Sequence, residues 1–155
     1  MYYGYSLEEK WNVMNEVILN EKRKESCCKW NNFITIDDFI PVNMSVEVIN
    51  VVFKLVWKIE MEGSAKHFSG SKYELVALID EFVKNTSIGS DFILLGKNSG
   101  KLGAINISYD FCIDNDIFLV EQILEEEKEL TLVSRTVDKG LYIRKDKVEY
   151  IICTW

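Results

Sequence analysis

Several common routes to function are closed by what this chain lacks. It has one proline, Pro41, and one histidine, His67. A single proline excludes collagen-like and polyproline architectures, and a single histidine excludes the paired-histidine zinc patterns. The four cysteines, Cys27, Cys28, Cys112 and Cys153, form no Cys-x-x-Cys pair. The vicinal pair is poorly placed for a bridge, so reduced thiols are expected, with Cys112 and Cys153 as small buried hydrophobes. No basic-then-apolar leader pattern opens the sequence. No stretch nears the roughly 20 apolar residues a membrane helix needs, because 46–61 is cut by Glu47, Asn50, Lys54, Lys58 and Glu60. The expectation is a cytoplasmic protein with no membrane partner.

What is present is a 155-residue chain, 48% hydrophobic, long enough for one domain with a substantial core. Acids outnumber Lys and Arg 25 to 18, giving a formal net charge of −7. That balance argues against direct nucleic-acid binding, since phosphate affinity comes from clustered cations.

Ser6 and Glu9 form a Ser-x-x-Glu capping box ahead of Leu7, Trp11, Met14, Val17 and Ile18, which predicts a helix over 7–23. The polar run 21–26 is expected to end it. A short strand is expected over 33–36, with a turn at Asp37-Asp38. In 46–61, Phe53, Leu55, Trp57, Ile59 and Met61 alternate with Lys54, Val56, Lys58 and Glu60, which reads as one strand or two. A helical stripe through Val48, Val51, Val52, Leu55 and Val56 competes with it, and the β-branched density weighs against the helix.

After a loop over 63–70, Ser71 and Glu74 form a second capping box for a helix carrying Leu75, Val76, Leu78, Ile79, Phe82 and Val83, ending near Asn85 before the breaker run 87–90. Strands follow over 92–95 and 102–111, joined by the Gly-bounded loop 96–100. Asp114-Asn115-Asp116 should cap a helix over 117–129 with Leu119, Val120, Ile123 and Leu124 buried. Strands over 130–136, 141–143 and 148–154 complete the pattern. The expected fold is α+β: one domain over 1–155, with the N-terminal helix, a core over 46–111 and an acidic helix with C-terminal strands over 114–154. Its sheet is mainly antiparallel, with two to three helices packed on one face. Trp11, Trp30, Trp57 and Trp155 all read mainly as core candidates, with exposure left open for Trp30 because its neighbours Lys29, Asn31 and Asn32 are polar. Tyr2, Tyr3 and Tyr5 could pack the terminus or anchor an interface.

Catalytic patterns are sparse. His67 sits in a Gly/Ser loop with no nucleophile motif beside it, so a surface histidine is the plain reading and a small enzyme using His67 the alternative. The 96–103 segment lacks the Gly-Lys-Ser/Thr of a phosphate loop, and Asp114-Asn115-Asp116 lacks the glycine and closing glutamate of a calcium loop. No catalytic residue, metal site or cofactor is expected.

The charge layout is more telling. Between positions 110 and 129 stand eight acids against Lys128 alone, while the rest of the chain holds 17 acids and 17 Lys or Arg. The whole net charge therefore belongs to one segment. Such a block can steer a basic partner, and Asp110, Asp114, Asp116, Glu121, Glu125, Glu126 and Glu129 are the candidate partner-binding residues. The competing view is a solvated helix face neutralised by Arg135, Lys139, Arg144, Lys145 and Lys147.

The order of 53–60 as a strand, His67-Phe68-Ser69-Gly70, a Glu74-Leu75 helix and a hairpin through Gly100-Lys101-Leu102-Gly103 resembles small bacterial immunity proteins. These are the antidotes of WapA-type polymorphic toxins and of contact-dependent growth inhibition. The likeness spans about 51–111. It implies a toxin–antitoxin pairing in which this chain, an inhibitor rather than an enzyme, binds a cognate toxin domain such as a nuclease and blocks its basic cleft. Two alternatives stand beside it: an acidic inhibitor of a host defence or DNA-binding protein encoded by a mobile element, and the His67 enzyme. Oligomeric state is left open.

Overall fold

The computed structural model describes Gly4, residues 6–86 and residues 90–155. The side chains of Gln122 and Ile123 are excluded. Tyr2, Tyr3, Tyr5, the expected burial of Ile123 and the breaker residues 87–89 therefore lie outside the described residues. The chain separates into two compact units, Met1–Phe39 and Ile40–Trp155.

In the first unit, helix α1 spans Leu7–Lys29, with the capping box closed in both directions between Ser6 and Glu9. It runs past the expected stop because Glu, Lys and Arg are good helix formers, and Glu21 bridges Lys24 at 3.2 Å. What ends it is Asn31-Asn32, both in the left-handed region at φ 50° and 57°. The strand expected over 33–36 is absent; a 3₁₀ turn, Ile36–Asp38, takes its place, with the Thr35 N–H donating to Asp38 Oδ2. Trp30 is buried, whereas Trp11 here and Trp57 in the second unit are exposed, against the expectation that they are core.

The second unit begins with the largest correction. Residues 46–61 are not strand: helix α2 spans Val42–Met61. Ser45, Val52 and Val56 are buried along one stripe, with Val48, Ile49 and Ile59 partly buried beside them. The alternating set divides under a 3.6-residue period. Phe53, Trp57 and Met61, four apart, share the outer side and are exposed. An unbroken 20-residue element also exceeds the usual strand length.

Strand β1, Lys66–Phe68, lies inside the expected loop. Helix α3, Lys72–Thr86, starts where expected, with one half of the expected capping box formed. The Ser71 N–H donates to Glu74 Oε2 at 3.2 Å, while the Glu74 N–H goes to the Ser71 carbonyl. Strand β2 spans Asp91–Leu95. The β2–β3 connection holds a single helical turn, α4, Ser99–Leu102. Strand β3 is shorter than expected, Ile105–Ser108, and at Ser108, whose hydroxyl accepts the Phe111 N–H, the chain turns into helix α5, Tyr109–Asp114. The acidic segment is helical through α6, Asp116–Phe118, a π-helical stretch Leu119–Leu124 and α7, Glu125–Glu127. Lys128 ends it at φ +65°, so Glu129 belongs to strand β4, Glu129–Ser134, not to the acidic helix. Strands β5, Gly140–Asp146, and β6, Glu149–Thr154, complete the sheet.

The fold is α+β, with one six-stranded antiparallel sheet in the order β1-β6-β5-β4-β2-β3 and more helices than the two to three expected. Nor do they lie on one face. Register places Ile93 with Val133, and Leu95, Thr131, Tyr142 and Cys153 in one row. Val52 and Val56 of α2 pack on this side. The opposite side carries Phe92, Leu94, Leu130, Leu132, Leu141 and Ile143, all fully buried. There Phe82 of α3 meets Phe92 at 6.1 Å between ring centres, and the π stretch packs on β4 and β5. Cover on both faces explains why β2, β4, β5 and β6 each bury four consecutive residues. Each aliphatic side chain so buried contributes about 1.5–3 kcal/mol before entropy is charged against it.

Candidate functional site

A groove of about 410 Å³ opens between α2 and the sheet. Its floor is the row Leu95, Thr131 and Tyr142; its helical wall is Ile49, Val52, Phe53 and Val56; its far rim is Gly96, Lys97, Glu127 and Glu129. The start of α2 is fixed against the sheet by Ser45, which is fully buried: its hydroxyl donates to the Pro41 carbonyl at 3.0 Å and accepts the Ala104 N–H at 2.7 Å. The Ile40 N–H returns a bond to the Ala104 carbonyl.

Charge at the groove is uneven. Glu129 stands opposite Arg144 across β4 and β5, but Arg144 gives its hydrogen bond to Glu60 of α2 at 2.9 Å. Burial raises the Glu129 carboxyl above the usual range; nearby Arg144 opposes the shift and Glu127 adds to it. Burial also pushes the Tyr142 phenol up, with Glu129 contributing. Glu127 accepts the Lys97 N–H at 2.8 Å and covers Gly96 so closely that a Cβ there would meet its carboxylate at 2.6 Å.

The seven acidic residues singled out from sequence do not form one face. Asp110 and Asp114 are exposed on α5, and Glu126 is exposed on α7. Glu121 pairs with Lys72 of α3 at 2.6 Å. Glu125 takes Lys145 at 2.8 Å and the Tyr150 hydroxyl at 2.7 Å, and these bonds lower its pKa. Among the basic residues expected to neutralise the segment, Lys145 does so, whereas Arg144 serves Glu60 and Arg135 donates to Asn106.

Asp116 meets a partner that sequence reasoning missed. Asp80 of α3 has its carboxyl pushed up to about 6, by burial first and then by its hydrogen bond to Asp116 and the charge there. Asp80 Oδ1 is sealed from solvent without a hydrogen-bond partner. The neighbouring Cys112 thiol is driven to about 12 by burial and by Asp80, so it stays protonated.

His67 is an exposed residue of β1 whose Nδ1 lies 2.9 Å from Glu149 Oε1 on β6. Cys112 and Cys153 are buried free thiols, as expected. Among the described residues no helix is long and apolar enough to cross a membrane, and no His, Cys, Asp or Glu cluster could hold a metal. Phe53, Thr131 and Tyr142 were missed as site residues because 46–61 read as strand. Read as a helix, Phe53, Trp57 and Met61 fall on one side.

Comparison with protein-family models, with characterised proteins and with solved structures finds no match for this chain. Of the elements expected over 51–111, the Glu74-Leu75 helix and the β2–β3 pairing are present, whereas 53–60 is helix, not strand.

Proposed function

We propose that this chain is an inhibitory binding protein of the immunity type, acting in the cytoplasm on a toxin domain with a basic surface. The observation that carries the reading is the groove. An exposed aromatic ring, Phe53, borders a half-buried carboxylate, Glu129, that has no ion pair or hydrogen bond from a side chain among the described residues. Aromatic anchors beside complementary charge are how inhibitors gain both affinity and rate. Asp110, Asp114 and Glu126 add exposed negative charge that can steer a basic partner, whereas Glu121 and Glu125 are engaged within the fold. Steric cover of a cleft needs no chemistry from the inhibitor. An acidic inhibitor of a host DNA-binding protein would use the same surface and differs only in its partner.

The test is co-purification with the toxin domain encoded by the adjacent gene, followed by titration at low and high salt. A tight complex that silences the toxin and weakens with salt is expected. Reversing the charges at Asp110, Asp114 and Glu126 should slow association while leaving the fold intact. A complex indifferent to salt and to these reversals would refute the electrostatic part, and no complex would refute the immunity reading.

A further inference from the structure

We propose that the groove between α2 and the sheet is a receptor for one arginine side chain of the protein partner. This rests on the binding-protein reading above and adds the chemistry that the surface selects.

Three features of the groove converge on a cation with several donors. Thr131 and Tyr142 are 3% and 6% exposed, yet both line the groove, and neither side-chain hydroxyl has a hydrogen-bond partner among the described residues. Buried hydroxyls normally find partners, so two open acceptors on one floor mark a place where a guest donor fits. Glu129 supplies a carboxylate on the same face, two residues before Thr131 on β4. Among the charged residues that line the groove, two carboxylates (Glu127, Glu129) stand against one cation (Lys97), leaving net negative charge. The third feature is Phe53, 60% exposed at the rim, a flat surface on which a planar cation can stack.

Arginine answers all of these together. Its planar guanidinium carries five N–H donors, sheds water more easily than an ammonium and stacks on rings. Lysine offers three donors from one point and no plane. The groove, at about 410 Å³, has room for a guanidinium and its aliphatic stem.

The experiment uses the whole protein and needs no toxin. N-acetyl-arginine methylamide is titrated into the labelled protein, and backbone amide shifts are followed by NMR. Saturable shifts at Leu95, Gly96, Thr131 and Tyr142 are expected, with the uncharged citrulline analogue silent and the lysine analogue several-fold weaker. Glu129→Gln should weaken arginine binding about tenfold, the loss of one charge-assisted bond. If that variant does not fold, Phe53→Ala carries the test, since its ring is exposed; a several-fold loss is expected. Absence of saturation, equal binding of citrulline or lysine, or indifference to both substitutions would overturn the proposal. Arginine binding without any toxin complex would leave the groove's chemistry standing and refute the immunity reading; a toxin complex without arginine binding would do the opposite.

Discussion

Asp80→Asn should stabilise this protein at neutral pH, which is an unusual result for a half-buried aspartate. The Asp80 carboxyl sits at about 6 against an ordinary 3.8, because burial and the facing Asp116 both oppose its charge, with Lys84 working weakly the other way. The native state therefore holds a proton that the unfolded chain releases. That contribution is fully present below about pH 4 and is lost as pH rises through about 6. A shift of about two units at 1.36 kcal/mol each amounts to roughly 3 kcal/mol between the two plateaus. Asparagine keeps the shape, carries no charge at any pH and donates to Asp116 permanently. The asparagine variant should match the parent near pH 4 and exceed it by about 1–3 kcal/mol at pH 8. Urea unfolding of both proteins at unit steps from pH 4 to 8 reads this directly. The difference between the two curves cancels Glu129, whose raised carboxyl acts in the same sense, and Glu125 and Asp138, whose lowered ones act oppositely. A difference that stays flat with pH, or an asparagine variant less stable at pH 8, would refute the reasoning.

Four further substitutions probe the frame of the fold. Ser45→Ala strips the buried Ala104 N–H of its acceptor and should cost about 1–3 kcal/mol in chemical denaturation; a loss under a few tenths would show that the anchor of α2 lies elsewhere. Glu125→Gln weakens the Lys145 and Tyr150 contacts and should cost about 1 kcal/mol at pH 7, while Glu126→Gln costs nothing measurable. Because the Glu125 carboxyl is lowered, the gap between Glu125→Gln and parent should close as pH falls through and below the ordinary carboxylate range, and a gap that persists into strong acid would contradict the assignment. Gly140→Ala drives a methyl group into the Trp155 indole, 2.0 Å from where a Cβ would sit, and should lower stability by about 1–3 kcal/mol with altered tryptophan fluorescence; unchanged emission would sink it.

Much of the sheet was legible because β4, β5 and β6 are apolar runs separated by turn residues, and α3 announced itself through Ser71 and Glu74. The failures have physical causes. In 53–61 an apolar residue at every second position also satisfies every fourth, so Phe53, Trp57 and Met61 fit both periods, and β-branched density tipped the reading the wrong way. In α1 the run 21–26 looked like a terminator because it is polar, although its residues are strong helix formers. The acidic segment was located correctly as charge but not as geometry. Nothing local tells that Glu121 finds Lys72, 49 positions away, or that Lys128 turns left-handed and sends Glu129 into the sheet. The groove was invisible for the same reason: its floor, wall and rim come from β2, β4, β5, α2 and α7.

The sheet order carries a consequence for how the molecule assembles. Strands β4, β5 and β6 form a meander of short loops, whereas β1 joins β6 by pairing Lys66 with Ile152. That three-residue pairing closes the longest loop in the sheet and has the fewest bonds to offset the chain entropy it consumes. Edge strand β1 is thus the expected last piece to dock and the first to detach. Amide hydrogen exchange should find it opening well below the global unfolding free energy, baring the edge of β6 to another strand.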